Sequence, residues 1–273
     1  MVVEKAYAKI NLYLDVLSKR SDGFHDIVSV MSRVSLADTV KVCASESEKT
    51  NIKITVYGAD LPCDNKNIAY KAAERYLEKA KIAADIDICI EKIIPIGAGL
   101  AGGSADAAAT LRALNRIYSA LSEEELITIA SELGSDVPFC LVGGTALCEG
   151  RGEKISKLHH KERHLVISIG NESVNTAEAY RELDRIFNDF SEERKPLFNP
   201  FEEVKLFNIF EVTAKESTLT LKEKLLSLSA TGTLMSGSGP SVFGIFENKR
   251  DAEIATESLR NDGYRAYYAV SIE

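Results

Sequence analysis

IPIGAGLAGGSADAAAT, residues 94–110, is the stretch whose reading decides the fold. An apolar strand over residues 86–94 enters it, and glycines stand at 97, 99, 102 and 103. A Ser104 cap then opens an alanine-rich helix with Leu111, Leu114 and Ile117 at helical spacing. Strand, glycine-rich turn and helix N-terminus, in that order, favour an anion. Glycines let backbone N–H groups approach a ligand closely, and the first helical turn leaves unpaired donors at the positive end of the helix dipole. A phosphate chain suits such a turn; so does a plain connector whose helix packs closely on a sheet. The stretch lacks the lysine of GxxxxGK[ST], and it is not a clean GxGxxG with an acidic partner about 20 residues on. Asp106, in the first helical turn, suits the dipole but repels a nearby phosphate. It must face away from the anion or meet a cation.

The rest of the chain sets the class. Its 273 residues bury a substantial core in one large or two medium domains. With 41 Asp and Glu against 33 Lys and Arg, the net charge of −8 argues against non-specific nucleic-acid binding. The five cysteines (43, 63, 89, 140, 148) contain no CxxC, and most sit in apolar runs, which reads as buried thiols in a reducing compartment. The four histidines lack zinc spacing. There is no charged-then-apolar leader, and no apolar run approaches the roughly 20 residues that span a bilayer, so a cytoplasmic protein is expected.

Residues 6–17, AYAKINLYLDVL, alternate as a strand that puts Ile10, Leu12, Leu14 and Val16 on one face and Lys9, Asn11, Tyr13 and Asp15 on the other. The second face is either a polar site or simply wet. Ser21-Asp22-Gly23 is a turn, and further strands reach Val42. Phe24 and His25 follow the turn directly, presented for a planar heterocycle or, equally, tucked onto the sheet. A helix runs from an Asn67 cap to about Ala80, and Ser122 with Glu125 forms a capping box for another that ends at Gly134. Asp136 opens an apolar segment as an N-cap or, if a cation keeps it ionised, as a general base. A boundary between halves falls near residues 153–161. Beyond it come a strand HLVISIG, an Asn175-capped helix containing Tyr180, an irregular loop at 191–200 and a second glycine-rich loop within TLMSGSGPSVFGIF. A last helix and a last strand complete a strand, helix, strand, strand, helix, strand rhythm of ferredoxin-like type. Consecutive strands at the start indicate α+β rather than a doubly wound sheet.

Three separated segments, AKINLYL (8–14), IPIGAGLAGGSADAA (94–108) and LMSGSGPSVFGIF (234–246), closely resemble the three motifs of the GHMP small-molecule kinases. KRSDGFHDIVSVM (19–31) and SELGSDVPFCLVGGTALCEGRGE (131–153) resemble the branch of that family that acts on a cytidyl-diphosphate methylerythritol in the non-mevalonate isoprenoid pathway. The resemblance implies a ribosomal-S5-domain-2-like N-terminal half (1–156) and a ferredoxin-like C-terminal half (157–273). It implies transfer of the ATP γ-phosphate, with Mg²⁺, to the 2-hydroxyl of this small molecule by a monomer or weak homodimer, with no nucleic acid or membrane as partner.

Carried over residue by residue, Asp136 matches the catalytic aspartate and Lys9 the lysine beside it. Pro95, Gly97, Ala98, Gly99, Leu100, Ala101, Gly102, Gly103 and Ser104 match the phosphate-binding loop, and Ser104 also matches a position that approaches Mg²⁺. Asn11 and His25 match substrate contacts, His25 facing the cytosine edge, while Phe24 and Tyr180 match a sandwich around the cytosine ring. Ser236, Gly237, Ser238 and Gly239 form the third loop, closing over the phosphates or the acceptor. Alanine stands at 101 and 105, where the commoner pattern reads AGLGGGSSDA; if position 101 takes positive φ, Ala101 is strained. Mevalonate and homoserine, alternative acceptors in this family, carry no base and give no reason for Phe24 and His25. A nucleotide sensor on the same fold would not need both Lys9 and Asp136.

Overall fold

The computed structural model describes residues 1–171, 174–190 and 204–273, so the loop read at 191–200 lies outside the described residues. The chain divides into two compact units of interleaved segments. One comprises Met1–Ala8, Ala37–Ile96 and Ala101–Val142, the other Lys9–Leu36, Gly97–Leu100 and Gly143–Glu273. Strands β1 (Val2–Lys19) and β2 (His25–Glu46) contribute residues to both.

In the first unit, β3 (Asn51–Tyr57) runs parallel to β4 (Ala84–Glu91), and β4 pairs antiparallel with β2 from Thr39↔Glu91 to Glu46↔Ala84. The parallel pair needs a crossover. It is α1 (Ile68–Ala80), whose Asn67 cap accepts from the Ala69 N–H as expected. Next come α2 (Gly102–Tyr118), α3 (Glu123–Leu133) and the short α4 (Val137–Val142). The Ser122–Glu125 capping box is fully formed, and α1 and α4 both pack on α2. Alternation on β4 buries Ile86, Ile88 and Ile90 and turns Asp85, Asp87 and Cys89 outward.

In the second unit, β5 (Thr145–Gly150) pairs antiparallel with β2 from Ile27↔Gly150 to Ser32↔Thr145, and β6 (Lys154–Lys157) adds to β5. The short β8 (Phe207–Asn208) lies parallel to β1, matching Tyr13 with Phe207. A separate sheet of β7 (His164–Ile169), β9 (Gly232–Met235), β10 (Ser241–Phe246) and β11 (Arg265–Val270) has the order β11-β7-β10-β9. All three of its pairings are antiparallel, which is the ferredoxin-like arrangement. Helices α6 (Glu216–Ser227) and α7 (Lys249–Asn261) bury Leu221, Leu225 and Leu259 with Val166 and Val242 of this sheet. Helix α5 (Thr176–Ile186), capped by Asn175, packs Ala179 and Leu183 with Leu14, Val16, Phe210 and Met235.

Three expectations change. The strand read at 86–94 ends at Glu91, because the Ile93 and Ile94 N–H groups leave the ladder and donate to the Asp38 carboxylate at 2.5 and 2.8 Å. Only Cys140 and Cys148 are buried. Cys43 and Cys89 fall on the outward register of β2 and β4, and Cys63 is exposed; none of the five is in a disulfide. The strands after the turn are one strand, β2. Among the described residues no helix is long and apolar enough to cross a membrane.

Candidate active site

The second face of β1 is not wet. Lys9 is 3% and Asn11 1% exposed, and Tyr13 and Asp15 are fully buried. Burying an ammonium and an amide requires partners. Asn11 Oδ1 accepts from Lys9 Nζ at 2.8 Å and from the Gly237 N–H at 2.9 Å; Asn11 Nδ2 donates to Ser29 Oγ at 2.8 Å. The Ser29 hydroxyl in turn donates a hydrogen bond to the Tyr13 carbonyl at 2.8 Å. Both lone pairs of Asn11 Oδ1 are therefore used inside the protein, linking Lys9 to the third loop.

The two glycine loops meet within the same unit. Ser236 Oγ donates to the Gly99 carbonyl at 3.0 Å, Ser241 Oγ donates to the Ala98 carbonyl, and the Lys9 N–H donates to the Leu100 carbonyl at 3.1 Å. Approach is so close that a Cβ on Gly99 would lie 2.2 Å from the Ser236 carbonyl oxygen, and one on Gly237 3.2 Å from Gly99 Cα. Asn208 pins the third loop from behind, donating Nδ2 to the Met235 and Gly237 carbonyls at 2.7 and 2.8 Å. That loop is the tight turn of the β9–β10 hairpin, with Ser238 Oγ 3.0 Å from Thr176 Oγ1.

The helix after the first loop starts earlier than expected. Ala101, not Ser104, is the N-cap of α2, at φ 57° and ψ 32°, with no side-chain cap. Position 101 does take the left-handed conformation, and there an alanine costs about 1–2 kcal/mol. Ser104 lies in the first turn, ahead of the first intrahelical bond from the Ala105 N–H to the Ala101 carbonyl at 2.9 Å. The N–H groups of Gly102, Gly103 and Ser104 therefore have no partner within the helix.

Asp106 meets a cation. Its Oδ2 accepts from Lys92 Nζ at 2.7 Å, and the same ammonium donates to Asp38 Oδ2 at 2.5 Å, all three side chains being buried in the first unit. Asp106 Oδ1 has no hydrogen-bond partner. Burial is the largest influence on this carboxyl and raises it, Lys92 opposes, Asp38 adds to the rise, and the result is about 7. Neither Asp38 nor Lys92 stood out in the sequence. The signal for Asp38 was its place on the inward register of β2 with Leu36, Val40 and Val42.

A second cluster gathers around the turn after β1. Phe24 is 50% exposed, with the Arg151 guanidinium 4.9 Å above its ring. His25, one residue on, opens β2 and is buried at 8% rather than presented. Its ring stacks on Tyr180 at 4.7 Å and 23°, and meets Phe190 edge-on at 5.7 Å. His25 Nε2 is 2.7 Å from Asp184 Oδ1, and Lys19 Nζ is 2.9 Å from Asp184 Oδ2. Burial alone would raise the Asp184 carboxyl; His25 and Lys19 outweigh it and hold it below the usual range. The structure thus lays Tyr180 on His25 and Arg151 on Phe24. Asp184 went unread, although four residues after Tyr180 on one helix is same-face spacing.

Asp136, half-buried, immediately precedes α4, and its carbonyl accepts from the Cys140 N–H at 3.0 Å. Pro95 and Gly97 lie in the turn between β4 and α2, with Gly97 at φ 65°. Among the described residues no group of three or more His, Cys, Asp or Glu side chains is arranged to hold a metal ion.

Comparisons with known proteins agree with this architecture. The profile of the GHMP kinases N terminal domain matches residues 67–144, and that of the GHMP kinases C terminal matches 210–265. A 4-diphosphocytidyl-2-C-methyl-D-erythritol kinase of Caldicellulosiruptor bescii is 44% identical over 94% of this chain and 93% of its own. Among solved structures, a 4-(cytidine 5'-diphospho)-2C-methyl-D-erythritol kinase is 32% identical, with TM-score 0.79 over 100% of both chains. The homoserine kinase of Cytophaga hutchinsonii, 20% identical with TM-score 0.66 over 99% of this chain and 94% of its own, shares the fold. The chain belongs to the GHMP kinases and, within them, to the 4-diphosphocytidyl-2-C-methyl-D-erythritol kinase family.

Proposed function

We propose that the protein transfers the γ-phosphoryl group of ATP to the 2-hydroxyl of 4-diphosphocytidyl-2-C-methyl-D-erythritol, a step of the methylerythritol phosphate route to isoprenoids. The observation that carries the reading is the His25 ring stacked on Tyr180, with the half-exposed Phe24 ring next to it in the chain; in this reading the rings offer a pyrimidine a surface to stack on and His25 offers it a hydrogen bond. Mevalonate and homoserine have no such ring. Relatives that match over nearly their full length and are named as kinases of this acceptor support the same reading.

In this reading the backbone of residues 95–104 cradles the ATP phosphates, using the free N–H groups at the start of α2. The third loop, Ser236, Gly237, Ser238 and Gly239, closes over them, registered by the contacts of Gly99 and Asn11. Asp136 accepts the proton of the acceptor hydroxyl, and Lys9 offsets charge as the phosphoryl group moves. A loose transition state asks more of such positioning than of strong base catalysis. Ser104 offers the hard oxygen donor that Mg²⁺ takes, beside the phosphates that usually carry most of that ion's coordination. Bound there, Mg²⁺ would neutralise charge on the transferring phosphate. Residues 1–156 and 157–273 are taken as the N- and C-terminal parts of the family, a division along the sequence that leaves each family profile intact and differs from the compact units, in which Lys9–Leu36 and Gly97–Leu100 go with Gly143–Glu273. Five cysteines outside any disulfide, two of them exposed, fit a reducing cytoplasm.

ADP release by the purified protein with Mg·ATP, compared across the cytidyl-diphosphate methylerythritol, mevalonate and homoserine, tests the reading. Selective turnover of the cytidyl compound is expected. Turnover of either of the others at a comparable rate, or of none despite ATP binding, would refute it.

A further inference from the structure

Asp184 stands on the same face of α5 as Tyr180 and divides its carboxylate between two elements: Oδ1 faces His25 Nε2 at 2.7 Å, and Oδ2 faces Lys19 Nζ at 2.9 Å. An ionised carboxylate only accepts, so the imidazole nitrogen facing it carries the hydrogen. In a neutral ring this decides the tautomer: Nε2–H donates to Asp184 and Nδ1 is left as an acceptor. Among the described residues Nδ1 makes no hydrogen bond. The ring cannot turn freely to exchange its nitrogens, because Tyr180 stacks on its face and Phe190 closes against it edge-on.

Cytosine and uracil differ where such an imidazole would read them. Cytosine carries an amine, a donor, at its 4-position; uracil carries a carbonyl, an acceptor, at the same place. Resting on the pyrimidine pocket read above, we propose that Asp184 is a positioning residue that makes this protein select cytidyl over uridyl acceptors, by holding His25 with an acceptor nitrogen toward the pyrimidine. Asp184 itself touches no substrate. Its effect is on discrimination, since a mismatched base leaves two acceptors facing each other, both stripped of water.

The test compares kcat/KM for the cytidyl- and uridyl-diphosphate methylerythritols in the wild type, Asp184→Asn and Asp184→Glu. Lys19 will attract the carbonyl end of an asparagine amide and leave its NH₂ toward His25, which then accepts at Nε2 and carries its hydrogen on Nδ1. The wild type is expected to prefer the cytidyl compound by about 100-fold. In Asp184→Asn that ratio should fall at least tenfold with the KM for ATP unchanged, and Asp184→Glu should recover part of it. A merely structural role would lower both substrates equally, and an unchanged ratio in Asp184→Asn overturns the proposal while leaving the kinase reading intact. A wild type that fails to use the cytidyl compound overturns both. Should the variants not fold, ¹⁵N spectra of the wild-type His25 ring decide: hydrogen on Nε2 supports the proposal, and hydrogen on Nδ1 alone refutes it.

Discussion

Gly99→Ala and Gly97→Ala make a matched pair that isolates what the two glycine loops do for each other. Both glycines are left-handed, Gly99 at φ 73° and Gly97 at φ 65°, so alanine brings the same backbone strain of about 1–2 kcal/mol at either position. Their surroundings differ. Nothing lies within 4 Å of a Cβ built on Gly97, whereas one on Gly99 would sit 2.2 Å from the Ser236 carbonyl oxygen and 3.2 Å from that of Gly239. The first distance falls more than 1 Å short of the 3.4 Å at which ordinary contact begins, and the obstacle is backbone, which cannot rotate aside. The loops must part by about that much.

A displacement of about 1 Å in a positioning element costs on the order of 100-fold in rate. Gly97→Ala should therefore stay within about tenfold of wild-type kcat/KM for ATP, with a melting temperature lower by about 2–4 °C per kcal/mol of strain. Gly99→Ala should lose a further factor of about 100, because the Ser236 hydroxyl leaves the Gly99 carbonyl and the Gly237 N–H leaves Asn11. The assay is coupled ADP release at varied ATP, with thermal melts run alongside to show that both variants are folded. If Gly99→Ala is no worse than Gly97→Ala, the contact between the loops does not set the phosphate site, and the reasoning fails.

Lys92→Met leaves Asp38 and Asp106 buried without their shared ammonium; removing one partner of a buried pair should cost about 3–5 kcal/mol, read by urea denaturation, and a loss under 1 kcal/mol would contradict it. Asp184→Asn should lose its stability deficit in acid. The wild-type carboxyl lies below the usual value of about 3.9, so its contribution is present above pH 4 and disappears as pH falls through the lowered value; a gap between variant and wild type unchanged from pH 5 to pH 2 would refute this. Asp136→Asn should remove most turnover, by about 100-fold or more, while calorimetry still shows ATP binding; undiminished turnover would sink the proposed proton acceptor.

Legibility in the sequence followed the distance between partners. The caps at Asn67, Ser122 and Asn175 were readable because each binds an N–H two or three residues away, a spacing that the residue order itself displays. The ferredoxin-like sheet was readable from the order of its strands and helices. By contrast, His25 and Asp184 are 159 residues apart, Gly237 and Asn11 226, and Lys92 and Asp38 54. No local pattern announces such pairs. Ser104 failed as a cap for a related reason: the loop closes by a left-handed turn at Ala101, a conformation that an alanine does not advertise. Asp106 marks the border between the two kinds of knowledge. A carboxylate in the first turn of a phosphate-facing helix had to turn away or find a cation, and that demand could be stated from the residue and its position alone. Which cation answers it depends on β4 ending at Glu91, and that ending depends on Asp38 drawing the Ile93 and Ile94 N–H groups out of the ladder. The need was local; its satisfaction was tertiary.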